Sequence, residues 1–505
     1  NKTVNVSVEF AQVFGVRWNK SSSSTALSRL TQSNDPNDYV TVNISTEPSP
    51  AVGTGTGSSP FDSYAPWKDM EEYNIINNAV SHKRGESGFS RTSYDTMVYI
   101  PEFWFKIVES GNYRYFYIAN KAKDGFTKHP GSGKYVGRYN TVSGNASKSG
   151  AAPQASQTRA QFRSGAKGKG SKWSLHDFAA WNAVWLLYLV EFADWNSQAQ
   201  IGRGNVDGSS LKNTGGTDSM SYHTGRASGT DGKTQVQYRH IEDPWGNIWE
   251  WIDGANFNNQ AAYICTNPAN YADDTTSNYT SAGVTLCSSG WIKDLGLSNT
   301  FPWAFLPDAN GGSETTYIPD YVYSNSGWRV LLVGGSWING SFAGLFYFYA
   351  NYSSSYSYGG IGARLLFHPN GGPGAAAPGA SRPAPALGST GAARRMGVRG
   401  PKPPVFINFK ITHFVISSRF PVRQWRRGII ATGLPAQCVD GFCRPVNSNS
   451  GWQVLMVGGN WNNGSNAGLF YFNANNSSSN SNGNIGARLL VFPMSSLRRL
   501  FRTAW

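Results

Sequence analysis

The chain has 505 residues, a net charge of +14 and 57 glycines; aromatic residues make up 14% of it and charged residues only 15%. Its length predicts two to four domains, and this composition excludes a disordered polyelectrolyte, a coiled coil and a disulfide-dense mini-protein. The basic excess lies wholly in residues 370–505, which hold 15 Lys and Arg and one acid, Asp440, whereas residues 1–369 are neutral. We therefore expect no nucleic-acid binding by residues 1–369.

The first 172 residues predict short strands between loops rich in Ser, Thr, Gly and Pro. Apolar and β-branched stretches predict strands at 4–10, 15–18 and 39–44, and then at 97–100, 102–108 and 113–118. Residues 46–60 have the composition of a linker, and 142–172, rich in Ser, Gly, Ala and Lys, are predicted to be an exposed loop. We assign 1–95 to a β-rich N-terminal attachment region.

A buried helix is predicted to begin near residue 178. Ser174 and Asp177 resemble a capping box, and apolar residues follow at helical spacing: Phe178, Trp181, Trp185, Leu189 and Phe192. The apolar stretch 178–193 is shorter than the roughly 20 residues that a membrane span needs, so we expect no membrane insertion. Further on, the aromatic segment 235–251 is predicted to pack around a turn at 244–247, and Cys265 and Cys287 are spaced so that they could pair.

An internal repeat dominates the C-terminal third. Residues 322–366 (the variable repeat) match 446–490 (the template repeat) at a constant offset, with 34 of 45 positions identical. Nine of the eleven differences replace an Asn of the template repeat. We call them the variable positions: Tyr323, Ser336, Ile338, Phe342, Tyr349, Tyr352, Tyr356, Tyr358 and Gly360.

The differences run in one direction. No Asn of the variable repeat is missing from the template repeat, and the other two changes are Arg329 for Gln453 and Leu332 for Met456. All eleven can be reached by changing only adenines in the codons of the template repeat. Drift after duplication would scatter changes both ways, although a duplicated binding domain under unusual selection is the alternative.

This pattern resembles a diversity-generating retroelement, in which an error-prone reverse transcriptase scrambles adenines while copying a template repeat into a variable repeat. The resemblance implies that 370–505 is translated intergenic sequence, and we expect this segment to be disordered. The alternative is a basic tail that binds nucleic acid.

The body resembles a second family, the C-type-lectin-like fold of formylglycine-generating-enzyme-like domains and retroelement variable proteins, which include phage tropism determinants. The resemblance rests on Asp243-Pro-Trp-Gly-Asn-Ile-Trp-Glu-Trp251, Gly327-Trp-Arg-Val-Leu-Leu-Val-Gly-Gly-Ser-Trp337 and Gly362-Ala-Arg364. It implies an α+β fold with short strands, long loops and few helices over 96–369, which would be the ligand-binding domain. Phe14-Gly-Val-Arg-Trp18 is similar to segments of phage tail proteins.

Catalysis is the competing function, because formylglycine-generating oxidases belong to this fold family and use a reactive Cys pair late in the domain. No Cys lies between Cys287 and Cys438 in this chain, so we expect no enzyme activity and no cofactor. We also expect no metal site: the histidines show no paired spacing, and Asp308, Glu314 and Asp320 are interpreted as solvated loop acids rather than calcium ligands. A purely structural tail protein is a further alternative.

Random substitution is tolerated only where side chains can change without disrupting the fold. We therefore predict that the variable positions face solvent and that they form the ligand-binding surface. Ser336 with Ile338, and Tyr356 and Tyr358 with Gly360, would each share a face if extended. Three unvaried glycines, Gly334, Gly335 and Gly362, are predicted to set turns. The residues assigned to the framework are Trp328, Gly334, Gly335, Trp337, Gly344, Gly362 and Arg364.

These residues predict a hypervariable, Tyr-rich surface. Tyrosine offers a large, rigid contact area at low entropy cost, as in antibody paratopes. The expected partner is a cell-surface protein or glycan. The expected location is a phage tail on the virion or a bacterial cell surface. A homo-oligomer is a further expectation.

Overall fold

The computed structural model describes residues 10–370 and the backbone of 446–448, 454–458 and 468–476. The chain divides into two compact units, Asn1–Ala380 and Ser381–Trp505. The described part of the first unit is mostly β-sheet with few helices. Along the described residues, no helix is both long enough and apolar enough to cross a membrane.

The described residues of the first unit include three α-helices: α1 (Arg159–Gly168), α2 (Phe178–Phe192) and α3 (Ser197–Gln200). Its strands, in chain order, are β1 (Val13–Asn19), β2 (Ser28–Arg29), β3 (Ala51–Val52), β4 (Glu72–Ile76), β5 (Ala79–Lys83), β6 (Asp95–Ile100), β7 (Trp104–Ser110), β8 (Tyr113–Ala119), β9 (Thr127–Lys128), β10 (Lys134–Asn140), β11 (Trp173–Leu175), β12 (Gly225–Arg226), β13 (Val236–Tyr238), β14 (Ile241–Glu242), β15 (Trp249–Asn258), β16 (Ala261–Ile264), β17 (Thr280–Thr285), β18 (Gly290–Leu295), β19 (Pro307–Asn310), β20 (Ile318–Ser324), β21 (Trp328–Val333), β22 (Phe348–Ala350) and β23 (Ile361–Phe367).

These strands form three sheets. A five-stranded sheet has the order β2-β1-β8-β7-β9, and a small sheet has the order β14-β13-β12-β3. The main sheet runs β19-β18-β20-β22-β21-β15-β23-β10-β6-β4-β5, with β11, β16 and β17 attached beside it. The four strands of the variable repeat, β20 to β23, therefore lie in the middle of the main sheet with β15 between β21 and β23.

Strands on both sides of residue 95 share sheets. β1 pairs along its whole length with β8, and β4 pairs with β6. The expected boundary at 95/96 therefore does not divide the described residues into separate bodies, because the hydrogen-bonded ladders cross it.

Most of the predicted strands of the N-terminal half are present. The segments 15–18, 97–100 and 113–118 lie within β1, β6 and β8, and 102–108 overlaps β7; residues 4–9 lie outside the described part. The strand predicted at 39–44 is wrong. The Asp35 carboxylate accepts hydrogen bonds from the backbone N–H groups of Asn37, Tyr39 and Val40, and so draws this backbone into a side-chain-capped loop.

The predicted loop at 142–172 contains α1. Thr158 caps this helix in a capping box with Gln161, and its side chains Arg159, Phe162, Arg163 and Ala166 are buried. The Ser, Gly and Lys residues around it concealed this short amphipathic pattern. A capping box at its N-terminus was the available sequence signal.

Helix α2 is buried on every side, which confirms the predicted core helix. Its cap differs from the prediction: Asp177 accepts the hydrogen bond from the Ala180 N–H, whereas Ser174 lies in β11. The buried Glu191 at its C-terminal end accepts hydrogen bonds from Arg239, with Nε to Oε2 at 2.7 Å, and from Ser59 and Tyr238. The charge is thus compensated where burial would otherwise be costly.

Two strands of the main sheet are bulged, and a buried arginine caps each bulge. The β15–β21 register shifts between Ile252 and Asn256, and the Arg159 guanidinium donates to the carbonyls of Ile252 at 3.0 Å and Ala255 at 2.7 Å. At the bulge this side chain therefore bonds backbone carbonyls directly.

The second bulge lies in β10, opposite β23. The β10–β23 register shifts between Val136 and Asn140, and Arg364 donates to the carbonyls of Gly137 and Arg138, each at 2.8 Å. The same guanidinium also binds the carbonyls of Glu242 and Asp243 and the carboxylate of Glu250, with Nε to Oε1 at 2.9 Å.

In the second unit, three strands are described: β24 (Val446–Ser448), β25 (Val454–Gly458) and β26 (Gly468–Asn476). β24 pairs with β26 in parallel and β25 pairs with β26 antiparallel, with Val446 opposite Phe472 and Met456 opposite Asn473. These pairs are the template-repeat equivalents of Val322 with Phe348 and Leu332 with Tyr349 in the variable repeat. The presence of these strands differs from the expectation that 370–505 is disordered. The rest of 371–505 lies outside the described residues.

Arg364→Met is expected to lower the free energy of unfolding by about 3–5 kcal/mol, because it leaves a buried carboxylate and several carbonyls without their donor. Urea denaturation followed by tryptophan fluorescence measures the change. The matched control is Arg329→Met, since Arg329 is half-buried and its guanidinium bonds the Trp328 carbonyl; we expect a cost within about 1 kcal/mol. Equal losses in both variants would contradict the bulge-capping role.

Candidate ligand-binding surface

The variable positions lie on two neighbouring strands and on two loops. Tyr323 is on β20 and Tyr349 is directly opposite it on β22. The loop after β21 carries Ser336, Ile338 and Phe342. The loop between β22 and β23 carries the remaining four: Tyr352, Tyr356, Tyr358 and Gly360.

Five of these residues join two constant ones in a continuous row of rings. We call this row the aromatic strip; its members, in spatial order, are Trp291, Phe342, Tyr321, Tyr323, Tyr349, Tyr352 and Tyr356. Neighbouring ring centroids are 5.0, 4.7, 4.5, 4.9, 4.7 and 3.8 Å apart along this order. Residues far apart in the sequence are therefore brought together on one side of the sheet.

An apolar layer supports the strip. The buried side chains beneath it belong to β15, β21, β23 and α1: Trp249, Trp251, Val330, Leu332, Ile361 and Phe162. Tyr347 is fully buried next to Tyr323 and Tyr349, with ring centroids 6.2 Å from each. None of these supporting residues is a variable position.

The variable positions do not all face solvent, which corrects the sequence expectation. Ile338 and Tyr358 are 60% and 44% exposed, and Tyr323, Phe342, Tyr352 and Tyr356 are half-buried. Ser336, Tyr349 and Gly360 are buried. Tyr349 is buried because its ring packs between Tyr323 and Tyr352 and above Trp249.

The predicted shared faces are also wrong, because neither loop is extended. Ser336 and Asn339 close a turn, with the Asn339 N–H donating to the Ser336 carbonyl at 3.1 Å. The Ser336 hydroxyl points inward and bonds the Asn339 side chain, while Ile338 at the tip of the turn points outward. Likewise, Tyr358 is exposed and Gly360 is buried.

Two framework tryptophans are surface residues rather than core residues. Trp328 and Trp337 are both half-buried. An ideal Cβ at Gly360 would lie 3.0 Å from Cε1 of Tyr358 and 3.4 Å from Cη2 of Trp337. Glycine at this variable position thus lets both rings approach the backbone, and a larger residue would displace them.

The framework glycines have distinct roles. Gly334 and Gly335 have φ of +82° and +78°, which glycine adopts without strain in the turn that follows β21. Gly362 does not set a turn: it lies within β23, where a Cβ would be 2.9 Å from Cδ1 of Ile248. A Cβ at Gly344 would overlap the carboxylate of Asp320.

Asp320 is buried, not the solvated loop acid predicted from the sequence, whereas Asp308 and Glu314 are exposed. Its carboxylate accepts a hydrogen bond from the Phe346 N–H at 2.7 Å, and burial raises its pKa well above the ordinary value. The segment Gly344–Phe346 is thereby fixed to β20. Within the described residues, no group of three or more His, Cys, Asp or Glu side chains could hold a metal ion.

The segment that carries eight of the nine variable positions has no charged residue. Residues 330–363 contain no Asp, Glu, Lys or Arg. Burial raises the pKa of Tyr323, Tyr349 and Tyr352, and a hydrogen bond with Tyr352 raises the pKa of Tyr356, so these hydroxyls stay protonated at neutral pH.

Cys265 and Cys287 are both free, so the pairing allowed by their spacing is absent. Burial raises the pKa of both thiols, that of Cys287 to about 11. Neither is a thiolate at neutral pH, and so neither is a ready nucleophile or metal ligand.

No protein-family model and no curated protein matches this chain. Among solved structures, the chain is similar to the Major Tropism Determinant P3c variant, at 13% identity and a TM-score of 0.24, over 72% of this chain and 73% of that one. The β-rich architecture is clear from the strands themselves, whereas the C-type-lectin-like assignment stays a prediction.

The sequence identified the variable members of the strip but missed Trp291 and Tyr321. Tyr321 lies two residues before Tyr323 on β20, so period-two alternation was the available signal for a shared face. Trp291 lies opposite Tyr321 on β18, a pairing that no sequence pattern indicated.

Tyr349→Asn is expected to lower the free energy of unfolding by about 2–4 kcal/mol, because it removes a buried ring from the aromatic layer. The matched change Tyr356→Asn should cost less than about 1 kcal/mol, since that ring is half-exposed and stacks on Tyr352. Chemical denaturation of both variants measures the difference. Equal stabilities would mean that Tyr349 is not part of the packed layer.

Asp320→Asn is expected to flatten the dependence of stability on pH. In the folded chain the raised pKa of Asp320 retains a proton that the unfolded chain releases, so the free energy of unfolding falls as pH rises from the ordinary Asp pKa through the raised one. Asn removes this loss and should make the chain at least as stable as the parent at neutral pH. Denaturation from about pH 4 to about pH 8 checks this; Glu314→Gln, at an exposed carboxyl, should leave the slope unchanged.

Proposed function

We propose that this chain is a receptor-binding protein whose surface is rewritten by a diversity-generating retroelement. The single observation that carries the proposal is the agreement between two independent patterns. Positions selected only because they replace a template Asn turn out to be neighbours in the aromatic strip. Unselected mutation in a duplicated segment would give no reason for this spatial clustering.

The chemistry of the strip supports binding rather than catalysis. Tyr and Trp are the residues that most often carry binding energy at protein interfaces, and a packed, neutral aromatic row supplies contact area at low entropic cost. A reaction would need an activated nucleophile, an acid–base pair or a metal, and the protonated thiols of Cys265 and Cys287 do not favour the formylglycine-type oxidase. We therefore propose no enzyme activity.

The proposed partner is a cell-surface protein or glycan, and the proposed location is a phage tail or a bacterial cell surface. A homo-oligomer, or many copies on one particle, would convert weak single-site binding into stable attachment. A structural tail protein without a diversified site is disfavoured, because it leaves the one-directional Asn replacements unexplained.

The triple variant Tyr352→Asn, Tyr356→Asn, Tyr358→Asn tests this function, since it restores template residues at positions that are not buried. We expect it to fold with a Tm close to that of the parent and to lose at least tenfold in affinity for cells of the source host. Tyr94→Asn, at a tyrosine 37% exposed outside the variable repeat, is the control. Unchanged cell binding by the triple variant would contradict the proposed surface.

Sequencing the locus in a population tests the origin of the surface. Codons of the variable positions should differ among individuals at sites matching template adenines, while codons of Trp328, Trp337 and Gly344 stay fixed. Equal variation in both sets would exclude the retroelement.

A further inference from the structure

Two aromatic residues outside the variable positions complete one end of the strip. Trp291 on β18 is paired with Tyr321 on β20, and their ring centroids are 5.5 Å apart. Both rings contact the variable Phe342, at 5.0 and 4.7 Å, and Tyr321 also contacts Tyr323 at 4.5 Å. The constant and variable rings therefore form one surface.

Both constant residues are only half-buried. Over the part of the chain that the structure describes, no residue accepts a hydrogen bond from the Trp291 indole, and its atoms are not among the buried unpaired ones. The N–H therefore remains accessible to a ligand.

Resting on the function proposed above, we propose that Trp291 and Tyr321 are the fixed end of the ligand-binding surface and contact a protein partner whatever residues occupy the variable positions. The contact between Phe342 and both rings makes position 342 the regulator of their exposure. A small residue there, such as the template Asn, exposes more of both rings, and a large one leaves less of them exposed.

A protein partner fits this surface better than a glycan. Seven rings in a row form an extended patch, and they pack against one another at 3.8–5.0 Å, which occupies much of their faces. Edges and hydroxyl groups are left for contact, and these suit the mixed apolar and polar surface of a protein rather than the stacking of a sugar ring.

The test uses a library of the full chain, displayed with the nine variable codons randomised, and two immobilised probes, lysozyme and dextran. Several lysozyme binders with unrelated variable residues are isolated, and Trp291→Ala is introduced into each. We expect the Kd to rise at least tenfold in most of them, the range of an interface hot spot. Trp104→Ala, at a half-buried tryptophan of the five-stranded sheet, is the matched control and should leave the Kd unchanged.

Tyr321→Leu keeps an apolar side chain on β20 and should also raise the Kd of the same lysozyme binders. This second variant keeps the inference testable if the Trp291→Ala variants do not fold. Lysozyme binders that tolerate both changes would overturn the inference and leave the proposed function intact. Binders to dextran alone would overturn the protein partner. Failure of the randomised library to yield binders to either probe would count against the proposed function itself.

Discussion

The capping of two β-bulges by buried arginines is the constraint on which the variable surface depends. Bulges in β10 and β15 let the central strands bend. Arg364 and Arg159 donate hydrogen bonds to backbone carbonyls at these bulges. Because β15 lies between β21 and β23, the positions of both loops that carry variable residues follow from these two side chains.

The residues that determine strand pairing are largely different from the residues that form the variable surface. In the second unit, β24, β25 and β26 pair in the same register as their variable-repeat equivalents, although Asn447 and Asn473 stand where Tyr323 and Tyr349 face each other. The register is therefore carried by the shared residues. Tyr349 is the exception to a clean separation, since its ring is both variable and buried.

The sequence predicted the core helix, several strands of the N-terminal half and the membership of most of the aromatic strip, because apolar periodicity and the repeat comparison are local or aligned signals. It could not predict exposure within the loops. The inward turn of Ser336 depends on Asn339, and the burial of Asp320 depends on backbone N–H groups more than twenty residues away. The half-exposed positions of Trp328 and Trp337 likewise follow from sheet edges and loop geometry that only the folded chain defines.

The packing of variable side chains against one another has a consequence for the repertoire that such a surface can sample. Tyr352 and Tyr356 stack at 3.8 Å, and a Cβ at Gly360 would press on both Tyr358 and Trp337. A substitution at one of these codons changes which substitutions are acceptable at its neighbour. Under the proposed diversification, the useful variants would therefore be fewer than the product of independent choices. They would fall into correlated families, and successive rounds of mutation would move between related surfaces.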